Sequence, residues 1–110
     1  MNSLMQYTRN HYCKTLHELA KAADSGGVIL ELGIGSWGSG VWLCEGARKG
    51  TGCHVYGVDN FSMDETSIQE VCTSMKKRGY YERILLMNTS DAACIWSHPI
   101  SLLFIDADHS

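Results

Sequence analysis

The chain has 110 residues, 45% of them hydrophobic, which suits one domain with a small core. Nine Lys and Arg stand against twelve Asp and Glu with no run of like charge, which excludes the electrostatic footprint of a nucleic-acid or anionic-membrane binder. No basic leader precedes an apolar stretch, and no window reaches the ~18 apolar residues of a membrane span, so the chain reads as soluble and cytoplasmic.

Residues 4–23 carry Leu4, Tyr12, Leu16, Leu19, Ala20 and Ala23 at close to helical spacing, and Asp24-Ser-Gly-Gly27 breaks the pattern. This predicts an amphipathic helix laid against a core. Val28-Ile-Leu-Glu-Leu32 is a short apolar run bounded by glycines, the pattern of a strand buried on both faces. A glycine-rich turn follows, and residues 41–49 read as a helix.

Residues 54–58 read as a second strand. Ser62 and Glu65 then have capping-box spacing ahead of a helix with Ile68, Val71, Cys72 and Met75 on one face, which Gly79 ends. A third strand is predicted at 83–87, a short helix capped by Ser90 through Trp96, and a fourth strand at 101–105 after Pro99. The alternation of strand and helix predicts an α/β fold, a doubly wound parallel sheet with right-handed crossovers and helices on both faces. The five cysteines are odd in number, widely spaced and without a C-x-x-C pair, which predicts buried reduced thiols rather than disulfides or a structural zinc site.

Three strand ends carry the chemistry. Gly33, Gly35 and Gly38 form G-x-G-x-x-G between a strand and a helix, where glycine allows a tight turn and close approach of a ligand to the backbone. Asp59 ends the second strand, beside that turn in a doubly wound sheet, where an acid can accept both hydroxyl protons of a ribose. Glu31 lies two residues before the first glycine, and a carboxylate facing the sheet interior there needs a partner, such as an amine-bearing ligand.

At the fourth strand end, Asp106 faces the crevice where the strand order reverses, the place at which open α/β sheets bind ligands. An unperturbed imidazole is the side chain suited to proton transfer near neutrality, so His109 is the expected general base, with Asp108 as its partner.

Glu31-Leu-Gly-Ile-Gly35, Tyr56-Gly-Val-Asp-Asn60 and Phe104-Ile-Asp-Ala-Asp-His109 resemble, in order and spacing, the first, second and fourth strand-end motifs of class I S-adenosylmethionine-dependent methyltransferases. The likeness is nearest to a small O-methyltransferase-like group and extends over almost the whole chain. It implies that Glu31, Gly33 and Gly35 flank the methionine and ribose of the cofactor, that Asp59 binds the ribose hydroxyls, and that Asn60 and Phe61 lie near the adenine. Ser90 and Asp91 occupy the turn that contacts adenine in such enzymes, although the family's usual glycine is absent there.

In metal-dependent relatives the residue matching Asp106 is a ligand of a divalent cation such as magnesium, which would make an acceptor hydroxyl more acidic. One Asp and one His do not complete such a site. The implied reaction is in-line methyl transfer to a small-molecule acceptor, with hydroxyl oxygen as the expected nucleophile.

Residues 1–110 are thus expected to be the N-terminal cofactor-binding part of a single methyltransferase domain, a Rossmann-like sheet truncated after about four strands, where the family is generally seven-stranded. Two other readings stand beside this one. A nicotinamide-dinucleotide domain shares the glycine motif and the acid after the second strand, but Glu31 and residues 106–109 disfavour it. A non-catalytic fragment would bind cofactor, or a partner chain as in a homodimer, through the open sheet edge.

Overall fold

A computed structural model describes residues 3–34, 39–60, 69–70, 72–73 and 83–105. Its elements are α1 (Ser3–Ala22), β1 (Val28–Leu32), α2 (Ser39–Lys49), β2 (Val55–Asp59), β3 (Arg83–Leu86), α3 (Thr89–Ile95) and β4 (Ile100–Ile105). The four strands form one sheet in the order β3-β2-β1-β4, every pair parallel. The capping box at Ser62 and Glu65, with Ile68, Val71, Met75 and Gly79, lies outside the described residues; Cys72 is described and packs against the core.

The sheet reverses direction once. From β1 the chain steps outward to β2 and β3, then returns past β1 to lay β4 on its other side. A crossover that keeps its hand must change face when it changes direction, and the helices do so. Leu43, Cys44 and Ala47 of α2 pack with Ile29 and Val55 on one face, while Ala92 of α3 packs with Leu30, Tyr56 and Val58 on the other. The fold is therefore the expected α/β, Rossmann-like arrangement. β1, covered on both faces and flanked by strands, keeps Val28, Ile29, Leu30 and Glu31 buried, and each fully buried aliphatic side chain contributes ~1.5–3 kcal/mol.

The α1 helix shows where periodicity misleads. Leu16, Ala20 and Ala23 are buried as their spacing predicts, but Leu19 is 48% exposed. Docking of α2 decides this. A Cβ placed on Gly46 would stand 2.2 Å from the His17 carbonyl oxygen, and one on Gly50 would stand 2.0 Å from that of Lys21, so α2 lies along the flank of α1 carrying those two residues. Leu19 is on the opposite flank. Tyr12 then reaches Phe104 of β4, with ring centroids 5.3 Å apart, which ties α1 to the edge strand.

At the amino-terminal pole the carbonyls that end α1 are satisfied from two strand entries: Thr51 Oγ1 donates to the Ala23 oxygen at 2.7 Å, and Ser101 Oγ to the Asp24 oxygen at 2.6 Å. Cys53 Sγ also donates to Asp24, at 3.1 Å. No disulfide forms. Cys13, Cys44 and Cys53 are buried as expected, whereas Cys94 is exposed on the outer side of α3.

β4 is an edge among the described residues. It carries no charged side chain, and its Leu103 and Ile105 are 47% and 52% exposed. No helix among the described residues is long and apolar enough to cross a membrane.

Candidate cofactor site

The carboxyl ends of β1 and β2 bring the glycine turn and the acid together. Gly33 leaves β1 with φ +88°, a backbone conformation that favours glycine. Its amide donates to the Val58 carbonyl at 2.8 Å, which extends the β1–β2 ladder by one step and turns the next amide toward β2. That amide, Ile34 N–H, donates to Asp59 Oδ2 at 2.8 Å. Asp59 is the last residue of β2, half-buried, and its own carbonyl accepts from Met87 N at 3.1 Å beyond the end of β3. Asp59 is thereby held to the glycine turn through its carboxylate and to the third strand through its backbone. Asn60 follows it and is exposed.

Glu31 is fully buried, and its Oε2 accepts a hydrogen bond from the Ser39 hydroxyl at the start of α2; Oε1 is likewise shut off from solvent. Across the sheet its register neighbours are Gly57 and Phe104. The chain itself therefore supplies a donor to this acid. Sequence reasoning did not single out Ser39. The usable signal was a small polar residue opening the helix after a glycine turn whose entry strand carries an acid.

Past β3, the structure corrects the expected cap. Asn88, not Ser90, caps α3: its side-chain Oδ1 accepts from Asp91 N at 2.8 Å, with the residue in extended backbone at φ −73° and ψ 160°. Ser90 and Asp91 lie within the first turn of the helix, both exposed. Asparagine ranks with serine as a cap, so residue type alone did not choose between them; the strand end at Leu86 did. Asn88→Ala is expected to cost about 1 kcal/mol of stability, and Ser90→Ala less than ~0.5 kcal/mol. Denaturant unfolding of the two variants checks the assignment; the reverse ranking would return the cap to Ser90.

The remaining expected site residues, Gly35, Phe61, Asp106, Asp108 and His109, lie outside the described residues. β4 does bring its carboxyl end to the site: Ile105, which immediately precedes Asp106, is in register with Leu32, the residue before Gly33. The boundary between β1 and β4 is where the strand order reverses, the position at which open α/β sheets in general bind ligands. Among the described residues no group of three or more His, Cys, Asp or Glu gathers to hold a metal ion.

The fold and this geometry define a Rossmann-like α/β chain in which Glu31, Ser39 and Asp59 gather at the carboxyl ends of β1 and β2. No family model matches the chain, and no curated protein matches it.

Proposed function

We propose that the chain is the cofactor-binding part of an S-adenosylmethionine-dependent methyltransferase acting on a small-molecule acceptor through a hydroxyl oxygen. The carrying observation is the hydrogen bond from Ile34 N–H to Asp59 Oδ2, which joins the glycine turn to the acid at the crevice. A carboxylate accepts up to about four hydrogen bonds, so the Ile34 amide and two ribose hydroxyls fit on one side chain. The nucleoside is then anchored at β2, with Asn60 and the start of α3, including Ser90 and Asp91, on the adenine side.

When bound, the cofactor supplies an electrophilic methyl group on sulfur. The chain's work is alignment and proton removal. Gly33 and Ile34 set the floor of the cofactor's path, Glu31 lies beneath it, and Asp106 and His109, which follow β4 in the sequence, are the residues assigned to the acceptor, with His109 taking its proton. Glu31 also favours this reading over a nicotinamide dinucleotide domain, in which that position is usually apolar.

Titration calorimetry tests the choice. S-Adenosylhomocysteine is expected to bind with one site per chain, and NAD is expected not to displace it. Displacement by NAD at comparable concentration would move the chain to the dinucleotide binders, and no binding of S-adenosylhomocysteine would refute the proposal.

A further inference from the structure

Glu31 and Ser39 are the two polar residues in the buried set, 0% and 1% exposed among the described residues, and they are bonded to each other. Glu31 is the fourth residue of β1 and Ser39 the first of α2. Their hydrogen bond spans the glycine turn, tying the strand that enters it to the helix that leaves it. Burying a carboxylate is costly unless donors reach it, and a hydrogen bond to a charged group is among the stronger kinds. The first turn of a helix also favours negative charge, so α2 and Glu31 hold one another in a single arrangement.

We propose that Ser39 is a positioning residue: through Glu31 it holds the end of β1 against the head of α2 beside the amino-acid end of an S-adenosyl ligand, without touching that ligand. The inference rests on the methyltransferase reading. Strand order supplies the direction. With the ribose held at Asp59 on β2, β1 stands one strand closer to the β1–β4 boundary, about 4.8 Å away. A group extending from the ribose toward that boundary therefore passes over the end of β1, where the pair lies.

Two ligands separate a positioning role from a purely structural one. S-Adenosylhomocysteine carries the amino-acid portion; 5′-methylthioadenosine has the same nucleoside and sulfur without it. Ser39→Ala is expected to weaken S-adenosylhomocysteine roughly tenfold, the scale of one lost hydrogen bond to a charged group. Methylthioadenosine is expected to stay within about twofold, the scatter of sites that do not couple. Ser39→Thr, which keeps the hydroxyl, is expected to restore the affinity. Where Ser39→Ala gives no cooperative thermal transition, Ser39→Cys, a weaker donor of similar size, takes its place with the same expectations.

Equal weakening of both ligands, or undiminished S-adenosylhomocysteine binding, would overturn the positioning role alone. A wild-type chain that binds neither ligand would overturn the methyltransferase reading with it.

Discussion

Asp59→Ala is expected to weaken S-adenosylhomocysteine binding roughly a hundredfold, because two ribose hydroxyls lose a charged acceptor and each such bond contributes about 1.5–3 kcal/mol. The substitution also releases the Ile34 amide, which Asp59 holds at 2.8 Å, so the glycine turn keeps only the backbone bond from Gly33 to Val58 as its tie to β2. Asp59→Asn separates the two effects. The amide side chain keeps an acceptor for Ile34 and a shape close to the original, but not the charge, and its affinity is expected to fall between those of wild type and Asp59→Ala. Calorimetry on each variant, with a thermal scan to confirm folding, measures this. An Asp59→Ala chain that folds and binds as wild type would remove Asp59 from the site.

The largest effect on stability is expected at Gly46. Alanine is the better helix former by ~1 kcal/mol, so propensity alone predicts that Gly46→Ala stabilises α2. Packing predicts the opposite. The new methyl group would stand 2.2 Å from the His17 carbonyl oxygen and 3.0 Å from Ala20 Cβ, and the first of these is backbone that cannot rotate aside. Separating the helices to make room opens the seam holding Ala20, Leu43 and Ala47, all nearly inaccessible. Overpacking of this kind costs about 1–3 kcal/mol and exceeds the propensity gain when the obstruction is backbone. A net loss of about 2 kcal/mol, or on the order of 10 °C in Tm, is expected for Gly46→Ala. The sign decides between the two effects, and a stabilised variant would mean that α1 and α2 do not approach this closely. A shift of α2 would also move Ser39 at its head, so ligand affinity is expected to fall with stability.

Those positions separate what the sequence expresses from what it does not. β1 was legible because a strand buried on both faces writes its burial as an unbroken apolar run. The parallel sheet with helices on both faces followed from alternation of element types together with the single hand of the crossovers, whereas the order β3-β2-β1-β4 appears only in the folded chain. Asp59 was legible for a related reason: a strand ending in an acid, next to a glycine turn, leaves little doubt about which edge of the sheet the acid occupies.

Leu19 was not legible, because helical periodicity marks an apolar stripe and not which flank the second helix will choose. Gly46 makes that choice, and a helical glycine looks the same in sequence whether it faces solvent or another backbone. The cap at α3 turned on where β3 stops, a boundary that two equivalent capping residues could not fix. Glu31 was read correctly as an acid in need of a partner, but Ser39 lies across the turn from it, and only the folded chain brings the two together.

The place of β4 has a kinetic meaning. β1 meets β2 after one intervening helix, but its other neighbour is separated from it by α2, β2, β3 and α3. Closing so long a stretch carries an entropic cost before any contact rewards it. The central strand therefore completes its pairing last, although it is the first strand in the chain. During synthesis the β1–β2 unit with α1 and α2 can assemble early, with one side of β1 still open. The step that closes the sheet also brings together the ends of β1 and β4, so the proposed ligand site is expected to form with the strand pairing of longest sequence separation among the described residues.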